Sequence, residues 1–409
     1  MKPEQFVGLD IGTSTVRCVI GTFDPNGSSV PSIIGHGQAT NQGMRRGTVV
    51  HIDDVADAIV QALTEAERIS GMNIKRATVN VNGSHISGLN SEGVIAISAA
   101  NREITAEDRM RVEEAATIVK LPSNREIVQF FAKNYSLDGL RNIKDPVGMH
   151  GVRLEVEAHM ITAATPNLRN LDMALDKAEI IPTHHVVSGL AAAEAVFSRQ
   201  QKEAGTALID VGAGTTNLIV FEDGEVQHVA VLPIGGQHIT NDLAIGLKTD
   251  LDIAEIVKIQ HADLSTSNST KSTATVKVEG KSYNFDFQDV SMIIEARVEE
   301  LLEYVEKELH KIKKSQKLPG GIVITGGTAK MKGFDELAKQ KLQLPARIGK
   351  IQNIGGLVDT VEDQSFTTVI GLMLLDMLLV SSLPSNGGSM SSAKNTRTLI
   401  RGIFERLKS

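Results

Sequence analysis

The chain has 409 residues with ordinary apolar (41%) and charged (22%) fractions, enough for two or more domains and a sizeable core. A net charge of −7, 3% aromatic residues and no tryptophan exclude a stacking platform or basic footprint for nucleic acid. Cys18 is the only cysteine, which excludes an intrachain disulfide and a cysteine zinc site.

In chain order, Phe6–Ile20 reads FVGLDIGTSTVRCVI: apolar strand, Asp10, a turn rich in glycine and hydroxyls, and a second apolar strand. Entry into a strand within six residues leaves no room for a signal peptide, so a cytoplasmic chain is expected. Cys18 alternates with Val16 and Ile20, the pattern of a packing residue. A strand near Ile33–Gly37 follows, then the polar loop Asn41–Thr48 with Met44-Arg45-Arg46-Gly47. Over Ile52–Ile69, Val55, Ile59, Ala62, Leu63 and Ala66 share one helical face, and Asp53 and Asp54 favour the positive helix end. Ala77–Val81 alternates as a strand.

From Ser84 to Thr162 the pattern changes. Strand-like pieces at Gly93–Ile97, Glu126–Phe131 and Val152–Met160 surround a helix capped by Thr105, with Asp108 three residues on. With no phosphate-type turn, this stretch reads as an inserted interaction subdomain. Pro166–Ala178 and Ser188–Phe197 predict helices. His184-His185 lacks a spaced acidic or cysteine partner, so no metal site is expected there.

Leu208–Val220 reads LIDVGAGTTNLIV and repeats the first hairpin: strand, Asp210, Gly-Ala-Gly, two threonines, strand. Glycines let backbone N–H groups approach an anion, and hydroxyls and a strand-end carboxylate can serve a phosphate and its metal. Gly235-Gly236 before the helix Ile239–Leu247 suits a polyanion, although a tight turn explains it equally well. Leu264–Lys271 reads as a loop, and Thr273–Phe287 as a hairpin turning at Glu279-Gly280. Gln288–Lys314 predicts a long helix with Ile294, Val298, Leu301, Val305, Leu309 and Ile312 on one face. Gly321–Leu337 is a strand, a Gly326-Gly327-Thr328 turn and a helix. Val369–Val380 is too short to span a bilayer and carries Asp376, so a buried helix is expected within Thr367–Val380. Two strand–hairpin halves imply a duplicated α/β core, with a nucleotide gripped by one hairpin from each side. A GxxxxGK[ST] loop is absent, which excludes P-loop chemistry.

The end of the chain differs in charge. From Lys394 onward, five Lys/Arg and one Glu give +4, leaving −11 for the rest. Residues 381–394 read as a flexible linker; about 13 such residues reach ~20 Å. In 395–409, Leu399, Ile400, Ile403, Phe404 and Leu407 form one helical face, flanked by Arg397 and Arg406, with Arg401, Glu405 and Lys408 opposite. Half-burial of five large apolar side chains is worth ~4–7 kcal/mol, and each basic residue adds ~1 kcal/mol on anionic lipid. A reversible membrane anchor is expected; docking back on its own domain is the alternative.

The order of motifs resembles the actin, heat-shock chaperone and sugar-kinase ATPase superfamily. The first phosphate motif falls at Leu9–Thr15, the second at Asp210–Thr216, and the adenosine motif at Ile322–Lys332. Connecting helices fall at Ser188–Phe197 and Thr368–Leu379. Within that superfamily, GLDIGTSTV, Gly43-Met44-Arg45-Arg46-Gly47, the 84–162 insertion and Asp145-Pro146-Val147-Gly148-Met149 with Gly151-Val152-Arg153-Leu154 resemble the FtsA family of bacterial cell-division proteins. The basic amphipathic end completes the likeness, which covers nearly the full length.

That resemblance implies an α/β, actin-like (ribonuclease H-like) duplicated fold in two lobes, with an inserted α+β subdomain and a C-terminal amphipathic helix. It divides the chain into 1–83 with 163–194 and 346–380 (1A), 84–162 (1C), 195–228 with 305–345 (2A) and 229–304 (2B). It further implies a protein on the cytoplasmic face of the membrane at the division septum. There it would tether FtsZ filaments through their C-terminal tail at 229–304, self-associate into filaments and recruit later division proteins, with no nucleic acid among its partners.

The cofactor implied is ATP with Mg2+. Asp10 and Asp210 would hold the hydrated ion from opposite sides. The backbone of Gly12, Thr13 and Ser14 and of Gly212, Ala213 and Gly214 would cradle phosphates, with hydroxyls from Thr215 and Thr216. Gly235 and Gly236 border that cradle, and Gly326, Gly327 and Thr328 leave space for the nucleoside. Val186-Val187-Ser188-Gly189-Leu190 offers no carboxylate or amide to position water, and Glu194 lies further along that helix, so hydrolysis is expected to be slow. A PilM-like pilus-assembly protein shares this fold and insertion but normally lacks such a tail. A sugar kinase would need a substrate aspartate, and a chaperone a further domain.

Overall fold

The computed structural model describes residues 5–23, 30–98, 101–265, 272–352 and 354–380. The linker 381–394 and the amphipathic helix expected at 395–409 lie outside the described residues, as does most of the loop expected at Leu264–Lys271.

Two sheets carry the fold, and they repeat one plan. The first orders its strands Pro31–Thr40, Thr15–Phe23, Gln5–Ile11, Arg76–Val81 and Ile181–Val187, with Gly355–Gly356 outside Pro31–Thr40. The second orders Glu225–Leu232, Thr216–Glu222, Thr206–Val211, Gly321–Thr325 and Ala346–Ile348. In each, a hairpin and its third strand pair antiparallel, and two further strands add parallel on the other side. Parallel strands need long crossovers, which is where the helices and insertions sit. Ala346–Ile348 therefore belongs to the second sheet, a correction to the expected boundary that gave it to the first lobe.

The helices cover these sheets as their apolar faces predict. Ile52–Ser70 buries Val55, Ile59, Ala62, Leu63 and Ala66 in the first core, and Phe287–Lys311 buries Ile294, Val298, Leu301, Val305 and Leu309 in the second. Cys18 is fully buried, and that burial holds its thiol above the ordinary range.

The insertion forms a third sheet, Ser87–Ala96, Arg153–Ala164, Arg125–Leu137 and Leu140–Ile143, with its own small core. Helix Ala106–Thr117 crosses it at Gly93, where a Cβ would stand 2.2 Å from the Val112 carbonyl oxygen. Thr105 and Asp108 form a reciprocal capping box.

Thr367–Val380 lies between the first sheet and helix Ser188–Val196. Gly8 and Gly371 permit this close approach, since Cβ atoms there would meet the Val369 and Ala191 carbonyls at 2.3 and 1.7 Å. Asp376, the one charge in this helix, accepts bonds from the Val7 N–H (3.0 Å), Thr78 Oγ1 (2.7 Å) and Thr183 Oγ1 (3.0 Å). A buried carboxylate is tolerated because three donors from three strands meet it. Among the described residues no helix is long and apolar enough to cross a membrane.

Candidate functional site

The two hairpin tips face each other. In the first, the Gly12 N–H closes the turn on the Thr15 carbonyl at 3.1 Å; in the second, the Gly212 N–H closes on the Thr215 carbonyl at 2.9 Å. A Cβ on Gly214 would stand 2.8 Å from Thr13 Cγ2 and 3.1 Å from Arg46 Cα. Glycine is required here by the opposite lobe rather than by its own turn.

Each tip has its carbonyls tied from outside. Asn41 Nδ2 donates to the Gly12 carbonyl (2.8 Å), and the Asn41 N–H donates to the Ser14 carbonyl (2.9 Å). In the second hairpin the Gly236 and Gln237 N–H groups donate to the Gly212 and Ala213 carbonyls (2.9 and 2.8 Å), and Thr328 Oγ1 adds a bond to Gly212 (3.1 Å). The amides behave oppositely. Among the described residues the N–H groups of Thr13, Ser14, Ala213 and Gly214 donate to no protein acceptor. Two turns presenting free amides, with their carbonyls held away, have the geometry that can cradle an anion.

The carboxylates lie below these turns. Asn80 orders the first by donating to Asp10 Oδ1 at 2.7 Å and accepting from the Ile11 N–H at 2.7 Å. Asp210 accepts from Asn217 Nδ2 (3.2 Å), Thr325 Oγ1 and Thr368 Oγ1 (both 3.5 Å). Burial pushes Asp10 up to about 7, with Arg17 opposing and the neighbouring Asp210 adding to the shift; burial pushes Asp210 up to about 6. Burial and mutual repulsion both favour the protonated form of these two carboxyls, and a cation brought near them would favour the ionised form.

Several expected residues have other duties. The Thr216 hydroxyl is turned from the cradle and donates to the Ile234 carbonyl at 2.8 Å, whereas Thr215 stays at the tip and accepts from Asn82 Nδ2 at 3.1 Å. Gly235 and Gly236 do not aim the helix Gly236–Gly246 at an anion, because the leading amides of that helix are engaged by the second turn. Gly326 is required by its own turn and by its packing: its φ is 90°, and a Cβ would stand 2.4 Å from the Val211 carbonyl oxygen and 2.7 Å from Asp210 Oδ1. Gly327 is open, with its nearest neighbour 3.8 Å away at Ser365 Cβ. Glu194 pairs with Lys202 at 2.8 Å, so it is not free to position water. His184 is buried and pushed down to about 4 by burial, while His185 Nε2 bonds Asp172 Oδ1 at 2.8 Å, so the two rings do not converge.

Sequence reasoning missed Asn41, Asn80 and Lys258. Lys258 Nζ donates to the Gly236 carbonyl (3.1 Å) and Thr240 Oγ1 (2.8 Å) from helix Leu251–His261, which was not anticipated. Asn41 opens the Asn41–Thr48 loop, and that position was its only signal.

Comparison with known proteins identifies the family and the fold. A cell division protein FtsA, from Pseudomonas aeruginosa, is 33% identical over 412 residues, covering 99% of this chain and 97% of the relative. The chain belongs to the FtsA family. The family model for cell division protein FtsA matches residues 207–371, and that for the SHS2 domain inserted in FtsA matches 83–162, the subdomain read as an insertion. Among solved structures, the PilM-PilN type IV pilus biogenesis complex aligns over 91% of this chain and 98% of that chain, with 16% identity and a TM-score of 0.65. MreB5 of Spiroplasma citri bound to ADP aligns over 91% and 96%, with 13% identity and a TM-score of 0.53. These likenesses establish an actin-like fold in two lobes. The PilM-like alternative stands only as a distant relative in fold.

Proposed function

We propose that this FtsA-family chain binds ATP as its magnesium complex between the two hairpins, polymerises on the cytoplasmic face of the membrane at the septum, and ties FtsZ filaments to that surface. The observation that carries the nucleotide reading is the opposed pair of turns: free amides at both tips above two buried carboxyls. The cradle of Thr13, Ser14, Ala213 and Gly214 would take the phosphates, Asp10 and Asp210 the water shell of the ion, and Gly327 the approach of the nucleoside. Magnesium would neutralise phosphate charge when bound. Asn41, Thr328 and the helix at Gly236 keep the turn carbonyls from meeting that charge. Glu194 is paired elsewhere, which favours binding over turnover and gives the nucleotide the role of fixing the angle between lobes. That MreB5 is a neighbour in its ADP-bound form supports the same reading.

The expected division into 1A, 1C, 2A and 2B is kept as a proposal, with 346–348 moved to 2A. The outer second lobe carries an open groove of about 570 Å³ lined by Ala244, Ile245, Lys248, Tyr283 and Phe285. It offers apolar contacts, with Lys248 and Asp250 both on its lining, to an extended apolar segment, and supports docking of the FtsZ tail within 229–304. The sequence at 395–409 supports membrane attachment through Leu399, Ile400, Ile403, Phe404 and Leu407 with Arg397, Arg401, Arg406 and Lys408. Filament formation would multiply weak tails into firm attachment and present the insertion to later division proteins.

Recruitment of FtsZ filaments to anionic vesicles tests the whole reading. Recruitment is expected to need ATP and residues 395–409, and to fall with Ile245→Asp. Vesicle binding that survives deletion of 395–409 would overturn the anchor. Recruitment unchanged by Ile245→Asp would move the FtsZ contact elsewhere.

A further inference from the structure

The insertion is joined in sequence to the first lobe, yet its sheet also seats on the second. Strands Ser87–Ala96, Arg125–Leu137 and Arg153–Ala164 all meet Glu225–Leu232, the edge strand of the second sheet. A Cβ on Gly88 would stand 2.6 Å from His159 Nε2 and 2.9 Å from the Val229 carbonyl oxygen, so glycine lets the insertion meet the backbone of the second lobe. At this seam the His159 and His228 rings lie 6.2 Å apart, centre to centre. His159 is 2% exposed, and its Nδ1 bonds Asn90 Oδ1 at 2.8 Å. That bond places the proton of the neutral ring on Nδ1, and Nε2 is buried without a partner.

The surrounding charges are unevenly shared. His228 Nε2 is held by Glu308 Oε2 at 3.1 Å, and Glu308 also pairs with Lys311 on the same helix. Lys144 Nζ donates to the Asp223 carbonyl at 3.1 Å and lies 4.0 Å from Glu225 Oε1. Lys133 is set among Glu157, Glu222 and Lys314. Glu92, the one titratable side chain on Ser87–Ala96, lies across from Glu157 rather than from His159. The groups that act on His159 are His228 and Lys133, and neither is an acid. A proton arriving at His159 Nε2 therefore makes a buried cation beside two other cationic groups, which is costly while the seam stays shut.

We propose that this seam is an acid-released latch: uptake of a proton at His159 Nε2 parts the insertion from the second lobe while each keeps its own fold. The insertion has a separate core to stand on. With the seam shut, burial and the neighbouring cations push His159 down to about 3; parted, the ring regains its ordinary value of 6.5. The shut form binds fewer protons, so it holds fully above pH 6.5 and weakens as pH falls below that. One histidine of ordinary value shifts the balance toward the open form about tenfold between pH 7.5 and 5.5. His228 adds less, because Glu308 already meets it.

The full chain carrying Val229→Cys tests this, since Val229 is buried in the core that also holds Phe131 of the insertion. Trapping of the new thiol by a disulfide reagent is compared at each pH with that of a free thiol, and the fully buried Cys18 reports global unfolding. Protection of the new thiol is expected to fall about tenfold from pH 7.5 to 5.5, with Cys18 unchanged. Adding His159→Phe, which keeps a ring against His228 and takes no proton, should remove most of that fall. No fall, a fall matched by Cys18, or a fall undiminished by His159→Phe overturns the latch. A rise in protection would mean that the new proton bonds the Val229 carbonyl and tightens the seam, which overturns it too. Should the cysteine variant not fold, imidazole NMR of the unaltered chain decides. Protonation of His159 near pH 6.5 overturns the proposal, whereas uptake well below that, together with shifts of the Gly88 and Val229 signals, supports it.

Discussion

The first and second hairpins share a backbone and differ in what faces their carboxyls. Both close a glycine N–H on a threonine carbonyl, and both have their turn carbonyls tied from outside by distant residues. Yet Asp10 faces the charged Arg17, whereas Asp210 faces Asn217 and collects hydroxyls from Thr325 and Thr368. The anion cradle is a property of backbone geometry and is duplicated. The charge around it is a property of side chains and is not. Asymmetry of this kind lets one lobe set charge while the other sets shape.

The largest effect should come from breaking the contact between tips. Gly214→Val places branched carbons where Thr13 and Arg46 already stand, so lobe closure fails. ATP affinity should fall on the order of 100-fold or more, ~2.7 kcal/mol. Gly212→Ala, whose Cβ would meet the Thr215 carbonyl oxygen at 3.2 Å within its own turn, should cost much less. Equal losses would mean that both glycines serve local turns and that the tips do not meet.

Next come the carboxyls. Asp210→Ala and Asp10→Ala should each abolish the magnesium dependence of ATP binding, which titration with and without EDTA measures. Asp10→Ala should retain more residual affinity, because Arg17, across the hairpin from it, keeps a positive charge on that side. Retained magnesium dependence in both variants would remove the ion from this site.

The pH response follows from the same burial. Asp10 and Asp210 sit at about 7 and 6 when folded, above the ordinary value of 3.8, so the folded protein keeps protons that the unfolded chain has released. The stability they contribute is full below about pH 4 and is lost as pH rises through 6 to 7. Without nucleotide, Asp10→Asn with Asp210→Asn should therefore gain roughly 1–3 kcal/mol over wild type at pH 8 and almost nothing at pH 4. Magnesium and ATP should reverse the order at pH 8, since a cation favours the ionised pair. Thermal melts across pH 4–8 decide this, and a wild type no less stable than the variant at pH 8 without nucleotide would refute it.

How far the site could be read in advance depends on the distance between its partners. Both hairpins, the capping box at Thr105 and the helix Thr367–Val380 are set by local spacing, and the structure keeps them at their predicted positions. Asn80 reaches Asp10 across 70 residues and Thr368 reaches Asp210 across 158, so no window of sequence contains either pair. The strand Ile181–Val187 was missed because its histidines interrupt an apolar alternation, although one ring is buried and the other capped by Asp172.

The smallest effect separates two adjacent threonines. Thr216 lies in the register position held by Val16 in the first hairpin: Val211 pairs with Thr216 as Ile11 pairs with Val16. Its hydroxyl binds the Ile234 carbonyl, which joins the second hairpin to the segment entering the helix at Gly236. Thr216→Val makes the second hairpin resemble the first and leaves that carbonyl short of one donor. It should cost ~1 kcal/mol of stability with ATP affinity within about twofold of wild type. Thr215→Val removes a hydroxyl at the tip and should weaken ATP binding by roughly three- to tenfold at a similar stability cost. If Thr216→Val were the more damaging for binding, the hydroxyl would have to leave Ile234 when nucleotide arrives, and the second hairpin would be a moving part rather than a fixed cradle.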